Sequence, residues 1–150
     1  MSLTAFLTAV TTILTPALPV GVKIEQHGGR FTERELPLLL AKAPCVLVSS
    51  LGISQLDPYA AATWRGQIQF AVYVIGADVS GQSRGPMAMD LAQTVMQQLL
   101  PDQFWGLNED TCDPPDWKTA RAENLYSGHI NTLQVAIWTV TWTQTFTFSA

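Results

Sequence analysis

The sequence predicts an α+β fold, with a mainly antiparallel β-sheet, two principal helices packed on one face and a long C-terminal strand. Three observations predict it. Two segments carry apolar residues at helical spacing, several others alternate apolar and polar residues, and the last is a β-pattern without Gly or Pro, from about Ile130 to Phe148. With 150 residues, 47% of them hydrophobic, the chain suits one domain, residues 1–150, with a sizeable core.

The first helix is predicted between Ser2, a candidate N-cap, and Pro16, which stops it. A single helical face collects its large apolar residues: Leu3, Phe6, Leu7, Val10 and Leu14. A connector leads to a short predicted strand, Val22 to Glu25. An amphipathic helix of this kind packs its apolar face on a sheet.

A turn and a short helix are predicted next. Gly28-Gly29 is a turn signal, and Thr32 with Glu35 has the spacing of a capping box, which predicts a short helix through Leu40. The apolar run Cys45 to Ser49 then predicts a buried strand.

Regular alternation predicts the next strand, Trp64 to Ile75, whose apolar positions are Ile68, Phe70, Val72 and Val74. Its expected partner is the strand before it, across a loop containing Asp57-Pro58-Tyr59. A second helix is predicted from about Pro86, a residue common at the first helical position, until Pro101 stops it.

The end of the chain is predicted to be irregular from Asp102 to Thr119. A strand near Arg121 to Tyr126 and the turn Ser127-Gly128 lead into the final strand, Ile130 to Phe148. A straight strand of this length would span about 60 Å, whereas a compact domain of this size is only about 40 Å across. We therefore expect this strand either to bend at a bulge or to pair outside its own domain.

The two faces of the final strand suggest where it leaves the domain. Up to about Trp138 both faces are apolar, but beyond it one face carries only Thr. The far half is therefore expected to need an apolar cover from a neighbour. The candidate subunit interface comprises Val140, Trp142, Gln144, Phe146 and Phe148.

Composition also favours an assembling protein. Only 13% of residues are charged, and a weakly charged surface suits a protein that is packed against copies or partners. The net charge of −4 provides no basic field for wrapping nucleic acid. No segment is long and apolar enough to suggest a membrane span.

The sequence carries no pattern typical of catalysis. Cys45 and Cys112 are interpreted as free thiols, and His27 and His129 as turn histidines without ligands at metal-binding spacing. We therefore expect no catalytic, cofactor-binding or metal-binding residues, no cofactor and no enzymatic activity.

Two exposed clusters remain as candidate contact sites. An acidic, Pro-rich loop with Asp110, Asp113, Asp116 and Trp117 is a candidate partner-docking loop, with Trp117 as its anchor. Arg30 and Arg34, beside Gly28-Gly29, are candidate basic residues facing a lumen or a partner, although solvated loop charges are the simpler explanation.

The order of these elements resembles the tail terminator proteins of Mu-like contractile-tailed bacteriophages over nearly the whole chain. The resemblance lies in the N-terminal helix and in four further segments: Lys42-Ala43-Pro44-Cys45-Val46-Leu47-Val48, Gln69-Phe70-Ala71-Val72-Tyr73-Val74, the helix started by Gly85, and Leu125-Tyr126-Ser127 with the long strand.

The resemblance implies a structural virion protein at the head-proximal end of the tail, assembled in the host cytoplasm. It implies a homo-hexameric ring that caps the tail tube and stops tube and sheath growth. The implied partners are further copies of itself, the tube protein, the sheath protein and the head-side connector, with DNA only in transit through the lumen.

Two alternatives stay open. One is another neck component, such as a head–tail joining or tail-completion protein. The other is a small ligand-binding α+β module that dimerises through its last strand.

Overall fold

The computed structural model describes residues 1–29, 32–79, 81–125 and 135–149, and it confirms the α+β class. The helices are α1 (Leu3–Leu14), α2 (Leu36–Lys42) and α3 (Arg84–Gln97). The strands are β1 (Lys23–Gln26), β2 (Cys45–Ala60), β3 (Thr63–Ala77), β4 (Asp116–Asn124) and β5 (Val135–Ser149).

The five strands form one mixed sheet in the order β1-β2-β3-β5-β4. β1 is parallel to β2, and the other three neighbouring pairs are antiparallel. The C-terminal strand is therefore inserted between two strands that precede it in the chain. β1 covers only the beginning of β2, from Cys45 to Val48, so that most of β2 lies at the edge of the sheet.

The two longer helices lie on one face of the sheet, as predicted. Phe6, Val10 and Leu14 of α1 and Leu91 and Val95 of α3 are buried in a single cluster with alternate residues of β2, β3 and β5. We call this face the helix face. A smaller cluster occupies the opposite face near the start of β5. Most of the free energy of folding is expected from the larger cluster, because it removes more apolar surface from water.

Local interactions explain where the helices begin. The Ser2 hydroxyl accepts a hydrogen bond from the amide of Ala5, which satisfies one of the free donors at the start of α1. The Asp78 carboxylate does the same for the amide of Arg84 at the start of α3. α3 lies so close to β3 that a Cβ on Gly76 would meet the Arg84 carbonyl oxygen and approach the Ala88 amide nitrogen to 2.9 Å. A side chain at position 76 would therefore force α3 and β3 to shift apart.

The predicted departure of the final strand from the domain is wrong. β5 pairs with β3 in unbroken register from Ala77↔Val135 to Thr63↔Ser149. Its other edge pairs with β4 and then with residues 111–113, through hydrogen bonds such as Asp113 N to Thr145 O at 2.9 Å. The strand fits because β3 is equally long and runs beside it. The predicted segment before Val135, with the turn Ser127-Gly128, lies outside the described residues.

β2 is much longer than predicted. The sequence predicted a strand only from Cys45 to Ser49 and a loop around Asp57-Pro58-Tyr59, whereas the strand continues to Ala60. Three register shifts interrupt its pairing with β3, and Gln55 has a positive φ of 51°. These bulges break the alternation of apolar residues, which is why the pattern does not resemble a strand.

Candidate interaction surface

The predicted subunit interface on β5 lies inside the protein's own core. Val140, Trp142, Gln144 and Phe146 are buried, and Phe148 is partly buried. The expectation that these four buried residues await a neighbour is therefore wrong. Their cover is supplied by α1 and by the segment between α3 and β4.

Aromatic packing closes this face. The Phe6 ring of α1 lies 3.9 Å from the Phe146 ring and 5.2 Å from the Phe148 ring, measured between centroids. Trp142 stacks on Phe70 at 5.0 Å on one side, and Trp105 stacks on Trp142 at 5.7 Å on another. Sequence reasoning singled out Trp142, Phe146 and Phe148 but missed that Phe6 and Trp105 of the same chain cover them.

The segment between α3 and β4 covers β5, and we call it the covering segment. Gln144 joins it to β5. Its Oε1 atom accepts hydrogen bonds from the indole N–H groups of Trp105 at 2.8 Å and Trp142 at 3.2 Å. Its Nε2 atom donates to the carbonyl oxygens of Gln103 at 3.1 Å and Asp113 at 2.7 Å. Because every polar atom of this buried amide is paired, Gln144 stabilises the core despite its polarity.

The predicted docking loop is held against the sheet. The Asp113 carboxylate pairs with the Arg65 guanidinium at 2.6 Å, and the Asp110 carbonyl accepts a hydrogen bond from the Thr147 hydroxyl at 3.5 Å. Asp116 begins β4. Asp110, Asp113 and Trp117 are nevertheless exposed, Trp117 by 57%, and the role of this loop in docking stays a prediction.

The predicted basic pair is only partly described. Arg30 lies outside the described residues, whereas Arg34 is exposed in the turn before α2. Next to it, the Nε2 atom of His27 lies 2.8 Å from the Glu35 carboxylate, and its Nδ1 atom lies 2.8 Å from the Gly29 carbonyl oxygen. These contacts give His27 a structural role in the turn.

A surface that sequence reasoning missed lies at the end of the sheet. Residues 52–67, which comprise the outer part of β2, the turn and the start of β3, are named the hairpin arm. Ile53, Leu56 and Trp64 are 38%, 57% and 47% exposed there. Leu56 and Ile53 lie over Gly66, where an added Cβ would come within 2.8 and 2.9 Å of their side chains. Ile53 pairs with the buried Ile68, so these apolar residues belong to the helix face.

The outer edge of the hairpin arm is free of any strand among the described residues. The last backbone hydrogen bond from the β1 side reaches the Val48 carbonyl, donated by the His27 amide at 2.8 Å. Beyond it the edge carries bulges and Pro58, features that discourage uncontrolled pairing of edge strands. The arm is therefore suited to a contact made mainly by side chains.

A partly exposed contact supports the arm from its polar face. The Arg65 guanidinium lies over the Tyr59 ring at 5.1 Å and pairs with Asp113 of the covering segment. The same arginine thus holds both strands of the arm and the segment that covers β5. The ion pair is partly exposed, so its contribution is modest.

A second apolar surface lies at the opposite edge of the sheet. A shallow groove of about 290 Å³ is lined by Met96 of α3, by Leu99 just after α3, and by Trp117 and Ala120 of β4. We call it the Trp117 groove. Ala120 packs against the cluster on the helix face, so the groove opens on the same face of the sheet as the apolar residues of the hairpin arm.

The metal-ligating and thiol side chains of the described residues are scattered or buried. No group of three or more His, Cys, Asp or Glu side chains in the described residues is arranged to hold a metal ion. Burial raises the pKa of the Cys45 and Cys112 thiols to about 11, which makes both unreactive near neutral pH. Within the described ranges, no helix is long and apolar enough to cross a membrane.

Comparison with known protein families finds none that matches the chain, and comparison with curated proteins finds no match.

Proposed function

We propose that this protein is a structural, self-assembling virion protein: a homo-hexameric ring that caps a phage tail tube, ends tube and sheath polymerisation and meets the head-side connector. The observation that carries self-assembly is the hairpin arm, where Ile53, Leu56 and Trp64 leave large apolar surfaces in water. Contiguous exposed apolar surface of this kind typically marks a protein–protein interface.

The resemblance of the sequence to tail terminator proteins supports the identity of the assembly. It covers nearly the whole chain, from the N-terminal helix to the long final strand. The α+β fold with its long C-terminal strand is compatible with it. The low share of charged residues supports a protein that is packed against neighbours.

The proposed subunit contact now lies on β2 and β3 instead of β5. The far half of β5, which the sequence suggested as the interface, pairs with the β3 part of the hairpin arm. A ring requires two different surfaces that meet around a rotation axis, and the exposed arm supplies one of them.

Electron microscopy of tails tests the proposed function. We expect labelled protein as six-fold rings at the head-proximal end of each tail. Loss of the protein is expected to give tails of uncontrolled length. Normal tails beside unattached heads would instead identify a head–tail joining protein, and label confined to the baseplate would overturn the proposal.

A solution experiment tests the role of the hairpin arm. Leu56→Asp places a charge on the exposed apolar surface, and we expect it to abolish rings while the chain stays folded. Val20→Asp is a matched control, because Val20 is a fully exposed apolar residue outside the arm. Rings that persist in Leu56→Asp, with both variants equally folded, would contradict a contact through the arm.

A further inference from the structure

We propose that the hairpin arm of one copy docks in the Trp117 groove of the next copy. This inference rests on the proposed ring function and names the two surfaces that meet. The contact is heterologous, because the arm and the groove are different parts of the chain. Repetition of such a contact around an axis closes a ring.

The positions of the two surfaces fit this contact. The arm lies at the β2 edge of the sheet and the groove at the β4 edge, at opposite ends of the strand order. Both open on the helix face, since Ile53 pairs with the buried Ile68 and Ala120 packs on the same cluster. A neighbour placed beside the sheet therefore brings an arm next to a groove.

The arm and the groove each expose a large apolar side chain. Leu56 of the arm and Trp117 of the groove are each 57% exposed. A heterologous contact covers both at once. A symmetric arm-to-arm contact would cover the arm alone and leave Trp117 and Met96 in water, which makes it the less favourable arrangement.

Charge also distinguishes the two surfaces. Asp57 is exposed on the polar face of the arm with Arg65 and Gln67. Lys118 and Arg121 of β4 lie on that same face of the sheet, across from the groove. None of Asp57, Lys118 and Arg121 forms an ion pair with a described residue. Docking brings opposite charges together. Two arms would bring their Asp57 carboxylates onto one interface, where like charges disfavour association.

Strand direction allows the sheet to continue from copy to copy. β2 and β4 run antiparallel to each other, because three antiparallel pairings separate them. The outer edge of β4 is unpaired among the described residues, as is that of β2 beyond Val48. Backbone hydrogen bonds can thus add to the side-chain contact wherever bulges and Pro58 leave the edge regular.

Mixing two variants tests the heterologous contact. Leu56→Asp removes the apolar contact surface of the arm, and Trp117→Asp removes that of the groove. Both residues are exposed, so we expect both variants to fold. Each variant alone is expected to be a monomer by light scattering. An equimolar mixture retains one intact pairing, an arm with a groove, so we expect twice the monomer mass and nothing larger. A mixture that stays monomeric, while the unchanged protein forms rings, overturns the inference.

If rings form only on tails and not in solution, disulfide cross-linking on assembled tails tests the contact instead. A Leu56→Cys, Met96→Cys double variant is expected to give a ladder of disulfide-linked species up to six copies. Ser54→Cys with Met96→Cys is the control, since Ser54 lies on the other face of the sheet. A dimer from Leu56→Cys alone would replace the arm-to-groove contact with an arm-to-arm contact.

The two proposals fail in different ways. Six-fold rings on tails without any Leu56–Met96 cross-link would overturn the docking inference and leave the ring function intact. Tails of normal length in the absence of the protein would overturn the function itself.

Discussion

β5 and the outer part of β2 reach the same end of the sheet but have opposite environments. β5 is enclosed by β3 on one edge, by β4 and residues 111–113 on the other, and by α1 on its face. The outer part of β2 has β3 on one edge only among the described residues, and its residues are exposed. The difference teaches that the position of a strand in the sheet, more than its own hydrophobicity, decides whether its surface remains available for a partner.

Replacing one side chain in each region gives the largest contrast. Phe146→Ala empties a buried space between Phe6 and Phe70, and it is expected to lower the free energy of unfolding by about 3–5 kcal/mol. Leu56→Ala removes a side chain that is largely in solvent and should cost about 1 kcal/mol or less. Urea unfolding curves of both variants measure the contrast, and equal losses would show that the arm is part of the core.

Replacing Gln144, whose amide group holds the covering segment, is expected to give the next largest loss of stability. Gln144→Leu leaves the Trp105 indole N–H and the Asp113 carbonyl without their partner in a buried site. We expect a loss of about 2–4 kcal/mol. Gln69→Leu is the matched control on the exposed side of the sheet, with an expected change of about 0.5 kcal/mol or less. Similar unfolding midpoints for the two variants would mean that the segment is held by other contacts.

Two glycines of β3 allow the core and the hairpin arm to be compared, because Gly76 faces the backbone of α3 and Gly66 faces side chains of the arm. Gly76→Ala forces a methyl group against the backbone of α3, so we expect a loss of about 1–3 kcal/mol. Gly66→Ala meets the Leu56 and Ile53 side chains, which are exposed and can turn away, so the loss should be smaller. Thermal melts followed by circular dichroism measure both, and a larger shift for Gly66→Ala would indicate a rigid arm.

The reactivity of cysteine thiols gives the last and smallest contrast between the core and the arm. The folded pKa of about 11 for Cys45 and Cys112 lies above the ordinary value of 9.0 because burial disfavours the thiolate. The stability gained from these neutral thiols is therefore present below pH 9 and is lost between pH 9 and 11. At pH 8 a thiol reagent should modify Ser54→Cys in the arm quickly and the two native thiols only after unfolding. Rapid reaction of the unchanged protein would contradict the burial of both.

The regular elements could be predicted from the sequence because their signals are local. The Ser2 cap and the apolar face of α1, the alternation in β3 and the aromatic–threonine pattern of β5 each occupy one short segment. The outer part of β2 could not be found in this way. Its bulges shift Leu56 out of the alternating positions, and Asp57-Pro58 is typical of a turn.

The covering of β5 could not be predicted because its contacts are distant in sequence. Trp105 and Gln144 are 39 residues apart, and no local pattern indicates that their side chains meet. The irregular segment before β4 resembled an exposed loop because of its acidic and proline residues. Its buried Trp105 and Cys112 carry the signal that was overlooked, since an aromatic residue inside a polar loop often packs back on the fold.

The strand order has a consequence for how the chain folds. The β2–β3 hairpin can form from neighbouring residues, but β5 must be placed between β3 and β4 after a long intervening stretch of chain. Contacts of this kind slow folding, and until β5 is in place β3 and β4 present open edges that invite aggregation. Truncating the chain after Ile137 would therefore split the sheet from within and yield insoluble protein.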